Sequence, residues 1–222
     1  MHTSYVSACA VSTGKEQIRA YKDKGYAGII VTDHFINGNT TCPKHISWKK
    51  RMEFIAAGYE KTKEEGDKRG LDVFFGWEFS IRYSDFLTYG LGLDFLIENP
   101  DIDKLNIEGY SRLVRKCGGY IAQAHPYRDA WYIENKFPVE PCFIDGIEVY
   151  NTSDNKETNG KALAFAKRHN LPMQAGSDSH DSYMPFLSGI KLQKKAESIF
   201  DIINAIKSRD AALILPGEQM FF

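Results

Sequence analysis

Short apolar runs and helical periodicities alternate along this chain. Ala27-Gly28-Ile29-Ile30-Val31 is almost continuously apolar, as expected of a strand covered on both faces. Leu71 to Phe75, Tyr120 to Ala124, Ile144 to Tyr150 and Leu171 to Ala175 predict strands of the same kind. Phe86 to Leu93, Gly189 to Gln193 and Ala211 to Leu215 predict three more. Between them the spacing becomes helical. Met52, Ile55, Ala56 and Tyr59 fall at i, i+3, i+4 and i+7 of a helix that Ser47 caps and Gly70 closes. Further helices are predicted over Glu16 to Lys24, around Tyr110, Leu113, Val114 and Cys117, over Lys161 to His169, and after Ser198 with Ile199, Ile202, Ile203 and Ile206 on one face. Phe35 to Ile46, rich in Asn, Gly, Thr and Pro, is a predicted loop.

Alternating strands and helices imply parallel strands joined by right-handed crossovers. Six or seven such units favour a closed or nearly closed barrel over an open, doubly wound sheet. One domain over residues 1–222 is expected, since no linker, repeat or low-complexity segment interrupts the pattern. Hydrophobic residues make up 43% and charged residues 26%, a globular balance, and a formal net charge of -1 gives no global field to draw nucleic acid or an anionic membrane. No apolar run approaches the roughly 20 residues of a membrane helix, and Met-His-Thr-Ser-Tyr is not a secretory leader. A cytoplasmic location without membrane partners is the expectation. Cys9, Cys42, Cys117 and Cys142 are scattered and are expected to be reduced.

The chemistry gathers where the strands end. Gly176-Ser177-Asp178-Ser179-His180 follows one strand, and its carboxylate and imidazole are two residues apart, so an extended backbone projects both to one side. Thr32-Asp33-His34, Gly76-Trp77-Glu78 and Gln123-Ala124-His125-Pro126 end three more strands. In a barrel the C-terminal ends of the strands share one mouth. His2, His34, Glu78, His125, Asp178 and His180 would meet there as nitrogen and oxygen donors suited to a divalent metal. His45 belongs to a polar loop, and His169 to a helix C-terminus whose dipole it suits; neither is expected in the site.

These segments, with His2-Thr3, Ala124-His125-Pro126-Tyr127-Arg128 and Gly146-Ile147-Glu148-Val149-Tyr150, make the sequence resemble the PHP (polymerase and histidinol phosphatase) superfamily along nearly its whole length. The resemblance implies a distorted (β/α)7 TIM-like barrel holding two or three divalent ions (Zn, Mn or Fe). By motif, His2, Glu78 and Asp178 hold a first metal. Glu78 bridges to a second, also held by His125, and His34 and His180 hold a third, with Asp33 orienting a neighbour. The chain departs from the pattern in three places. The first His of the opening H-x-H would precede Met1, which suggests a truncated first strand. Where an acidic or His ligand usually follows, the chain has Ser7-Ala8-Cys9-Ala10. No His lies between Glu78 and His125; Asp85 or His45 is a candidate to fill that gap.

The implied activity is a metal-dependent phosphoesterase of the histidinol-phosphatase type. It would hydrolyse a small phosphomonoester with a metal-activated water. Asp178 and His180 are candidates to move a proton, and Arg128 to grip phosphate through its planar fork. Arg82 and Trp48-Lys49-Lys50 are weaker anchors, and Glu148 is a candidate support for a ligand. A nuclease or nucleotide phosphodiesterase of the same fold, or a metal-binding barrel with degraded activity, are the alternatives. Nucleic acid is a less favoured partner than a small phosphorylated substrate. There is no P-loop and no G-x-S-x-G elbow.

Overall fold

A computed structural model of the chain describes residues 1–82, 84–131, 133 and 136–217. Six strands form one curled sheet in sequence order: β1 (Gly28–Val31), β2 (Asp72–Ile81), β3 (Ser84–Tyr89), β4 (Tyr120–Gln123), β5 (Gly146–Asn151) and β6 (Met173–Gly176). Two more, β7 (Gly189–Lys191) and β8 (Ala212–Ile214), pair antiparallel beside it. Helices α1 (Gly14–Asp23), α2 (Trp48–Arg69), α3 (Leu93–Glu98), α4 (Ile107–Lys116), α5 (Lys156–Arg168) and α6 (Ile199–Ser208) intervene. The result is a mixed α/β half-barrel, consistent with a distorted barrel but without seven regular βα units among the described residues.

Uniform alternation fails at β3. Ile81 pairs with Ser84, so β2 and β3 form a tight hairpin, and β3 is antiparallel to both β2 and β4. A parallel partner would have needed a crossover of a dozen or more residues. Arg82 helps make the turn at φ 49°, in the left-handed region. The apolar run predicted to extend to Leu93 stops as a strand at Tyr89, Gly90 takes φ 84°, and its last residue, Leu93, opens α3. β1–β2, β4–β5 and β5–β6 are parallel as expected.

Local signals account for the helix ends. Thr13 and Ser198 each form a reciprocal capping box, with Glu16 and Asp201 respectively. Asn155 caps α5 by accepting from the Thr158 amide, so the helix starts at Lys156, five residues before the predicted Lys161. Gly70 ends α2 at φ 64°. The largest buried cluster includes Phe35, Met52, Trp77, Phe79, Phe86 and Tyr110. Another packs Leu87, Tyr89 and Tyr120 against Ile202, Ile203 and Ile206 of α6. A cavity of about 500 Å³ is lined by Ile30, Phe74, Leu87, Tyr89 and Ile206, and His2, Glu78, His125 and Asp178 also reach it.

Met1 and His2 bridge the sheet's two flanks. The Thr32 amide donates to the Met1 carbonyl, and the His2 amide to the carbonyl of Ser179, beyond β6. No helix among the described residues is long and apolar enough to cross a membrane.

Candidate metal centre

Register brings the first pair together. β1 and β2 run parallel with Val31 opposite Phe75; three residues on, His34 lies opposite Glu78, joined by Phe35 N–H to Glu78 C=O and Glu78 N–H to Asp33 C=O. His125 follows β4 at φ 27°, and Asp178 follows β6 at φ 48°. Such backbone is costly for non-glycine residues and persists where the surroundings enforce it. Here the His125 amide donates to Glu148 Oε2 at 3.0 Å, and Asp178 is gripped by Arg128.

Glu78 is the hub. Its Oε2 lies 3.3 Å from His2 Nε2 and 3.0 Å from His34 Nδ1, and its Oε1 lies 3.3 Å from His125 Nε2. His2 Nε2 is also 3.1 Å from Asp178 Oδ1. His2 stacks on His180 with ring centres 4.2 Å apart and lies 4.5 Å from the His34 ring. Donor atoms of His2, His34 and His180 lie within 4.8 Å of one another, as do those of Glu78, Asp85 and His125. The structure therefore brings together all six residues singled out, with one correction: Glu78 does not end its strand but lies within β2, which runs on to Ile81 in the hairpin with β3. The structure adds Asp85, whose Oδ2 is 3.7 Å from His125 Nε2, where the sequence lacks a histidine.

The donor chemistry fits a cation. Ser7 Oγ–H is spent on Asp33 Oδ1, so Ser7 accepts from His2 Nδ1–H at 3.1 Å. That tautomer leaves the His2 Nε2 lone pair facing the carboxylates of Glu78 and Asp178, which repel it unless a positive ion lies between. His34 Nδ1 is buried and makes no hydrogen bond despite its closeness to Glu78. His180 Nδ1 donates to the Asp178 carbonyl at 2.8 Å, which frees Nε2.

Charge couples these groups to one another. Burial, then the charge of His34, holds His2 down at about 3, so it stays neutral. Burial opposes charge on Glu78 and Asp178, yet both are held well below the usual carboxylate range. His34 and His125 outweigh burial at Glu78, and Arg128 and His2 at Asp178. Burial and Arg128 oppose a charged His125, but Glu78 and Asp85 raise it to about 9. Burial pushes the carboxyl of Glu148 up to about 7.

Other candidates fall differently. Arg128 is largely enclosed, donating from Nε to Asp154 at 2.7 Å and from Nη1 to Asp178 at 2.6 Å; its Nη2 is buried and unpaired. Glu148 backs His125 and accepts from Asn151 Nδ2. Asp33 binds Thr3 and Ser7 and so fixes the loop below His2. Trp77 is core, donating to Tyr110 at 2.8 Å. Lys49 and Lys50 lie on the exposed face of α2, His45 is exposed in its loop, and the His169 ring packs on Phe165. Sequence reasoning missed Ser7 and Asp154. Both are ordinary loop residues, and only the motif residues they hold mark them.

A curled sheet on which imidazoles and carboxylates meet, from just beyond the ends of β1, β4 and β6 and from within β2, defines a class of barrel-like candidate metal sites. The profile of the PHP-associated family (PHP_C) matches residues 156–184, a stretch that includes α5, β6, Asp178 and His180. Among solved structures, the chain is similar to a two-domain protein from Bacteroides vulgatus containing a predicted PHP-like metal-dependent phosphoesterase (TM-score 0.69, 16% identity, 96% of this chain). It spans 62% of that protein's length. A candidate metal-dependent phosphoesterase from Bifidobacterium adolescentis is similar over 94% of both chains (TM-score 0.57, 14% identity). An amidohydrolase from Chromobacterium violaceum is similar over 98% of this chain and 96% of its own (TM-score 0.55, 13% identity). No curated protein shows significant similarity. The profile match is confined to residues 156–184, and at these identities the solved structures show likeness of fold.

Proposed function

We propose that this protein is a metal-dependent phosphoesterase that hydrolyses a small phosphomonoester. The observation that carries the reading is the lone pair of neutral His2 aimed between the carboxylates of Glu78 and Asp178, amid His34, His125 and His180. His2, Glu78 and Asp178 would hold one ion. Glu78, His125 and Asp85 would hold a second, and His34 and His180 a third; zinc, manganese and iron suit these donors. Divalent ions there supply Lewis acidity toward a phosphoryl oxygen and make water a nucleophile near neutral pH.

The chain's own residues set the geometry. Arg128 spends Nη1 on Asp178 and Nε on Asp154, which makes it first a positioning residue that keeps Asp178 ionised and aimed at His2. Its remaining donor, Nη2, is the one left for a phosphoryl oxygen. His180 is the most exposed imidazole of the cluster, and with Nδ1 tied to a carbonyl its Nε2 would hold the third ion, or a proton where that ion is not bound. The near-zero net charge gives no global attraction for a polyanion, which favours a small substrate over nucleic acid.

The test is a screen of phosphomonoesters, phosphodiesters and short oligonucleotides with added Mn2+ or Zn2+. Metal-dependent release of inorganic phosphate from monoesters is expected, with His180→Ala lowering kcat/KM about 100-fold or more. Oligonucleotide cleavage alone would assign the same site to a nuclease. Metal uptake without turnover of any substrate would contradict the reading.

A further inference from the structure

The loop Ser7–Ser12 carries a metal-capable side chain for which the six motif residues leave no role. Cys9 Sγ lies 3.2 Å from His34 Nε2. The loop is fastened on both sides: Ala8 N–H donates to Asn39 C=O, while the amides of Val11 and Ser12 donate to the carbonyl of His180. Ser7 adds a side-chain bond, accepting from the His34 amide at 3.0 Å. The thiol is thus held beside His34 by a loop sewn to His180. It is also exposed, so the position is open to an ion and to solvent.

We infer that Cys9 is itself a metal ligand, completing a Cys-His-His site with His34 Nε2 and His180 Nε2 and leaving one position open. This rests on the metal-site reading above and goes beyond it. The motif residues supply only two imidazoles for that ion, and the sulfur is this chain's own. Three observations converge. The free Nε2 of His180 is fixed by its Nδ1–H bond to the Asp178 carbonyl. The Nε2 of His34 faces sulfur. His34 Nδ1 lies 3.0 Å from Glu78 Oε2, so a ring proton placed on that side faces the carboxylate and leaves the Nε2 lone pair for an ion. A soft thiolate selects zinc and related thiophilic ions over manganese or magnesium, which favour oxygen donors. On binding, the thiol gives its proton to solvent and the sulfur donates an electron pair to the ion; no oxidant or reductant is involved. The consequence is a mixed centre, with a zinc-selective position at the exposed side of the cluster and carboxylate-rich positions around Glu78.

The experiment is a cobalt titration of the full chain, with binding measured independently by equilibrium dialysis. The wild-type protein should develop a near-ultraviolet sulfur-to-cobalt charge-transfer band. Cys9→Ser and Cys9→Ala should lose the band while retaining native circular dichroism and some bound cobalt. Zn2+ affinity should fall in both variants by at least the ~10–100-fold typical of losing an outer-shell partner, with Mn2+ affinity much less affected. Zn2+ should also protect Cys9 from iodoacetamide, read by peptide mass spectrometry. Bound cobalt without a sulfur band, a band unchanged in Cys9→Ser, or no cobalt bound at all would overturn the inference. None of these readouts needs turnover. Absence of phosphatase activity with the band present would count against the phosphoesterase reading and leave the sulfur ligand standing.

Discussion

Asp33 shows how single residues set up the centre without joining it. Its Oδ1 accepts from the Thr3 amide at 2.6 Å and from Ser7 Oγ at 2.7 Å, and its Oδ2 accepts from Thr3 Oγ1 at 2.7 Å. Asp33→Ala would leave buried donors unsatisfied and free the loop that carries His2 and Cys9. A loss of about 1–3 kcal/mol is expected, read by urea denaturation. Gly176 is as constrained. A Cβ there would lie 2.2 Å from Glu148 Oε1, and Glu148 holds the His125 amide and Asn151. Gly176→Ala should therefore cost about 1–3 kcal/mol and lower the bound metal measured by elemental analysis. Unchanged stability and metal content would refute the close approach. The ligand candidates themselves were legible because a His, Asp or Glu where a strand ends is conspicuous. Their fasteners were not: Ser7 and Asp154 look like any polar loop residue until the chain is folded.

Elements were legible by period but not by direction. The apolar run around Phe86 shows a strand, yet nothing in its pattern states polarity, so β3 running antiparallel to both neighbours was invisible. The short α3 was hidden at the same run's end, and α5 began at a cap, Asn155, upstream of its apolar face. The hairpin has its own buried polar tie. Tyr110 of α4 accepts from Trp77 Nε1 at 2.8 Å and shares a hydrogen bond with Thr88 Oγ1 at 2.6 Å, linking α4 to β2 and β3. Tyr110→Phe would orphan the indole donor within this core, and about 1–3 kcal/mol of stability should go with it in thermal or chemical unfolding.

Over the whole molecule, buried tyrosines set an alkaline limit. Burial raises the phenols of Tyr21, Tyr89, Tyr110 and Tyr120, and pushes Tyr26 up to about 12. Unfolded tyrosine ionises near about pH 10. The stability these groups contribute is therefore complete below about pH 10 and is lost as pH climbs through the folded values. Tyrosinate absorbance should rise together with loss of circular dichroism. Ionisation of these phenols near pH 10 in a still-folded protein would contradict their burial. The barrel-like architecture itself followed from alternation of apolar runs and helical faces. Its irregular part, the β2–β3 hairpin, carries both Glu78 and Asp85, so the feature hardest to read from sequence forms part of the site.

The convergence of distant side chains on shared ions is measured most directly by anomalous diffraction at the zinc edge, from crystals of the full chain equilibrated with Zn2+. The account predicts anomalous peaks within bonding distance of His2, Glu78 and Asp178, of Glu78 and His125, and of His34 and His180. Peaks confined to other surface residues, with the imidazoles around Glu78 touching no ion, would contradict it.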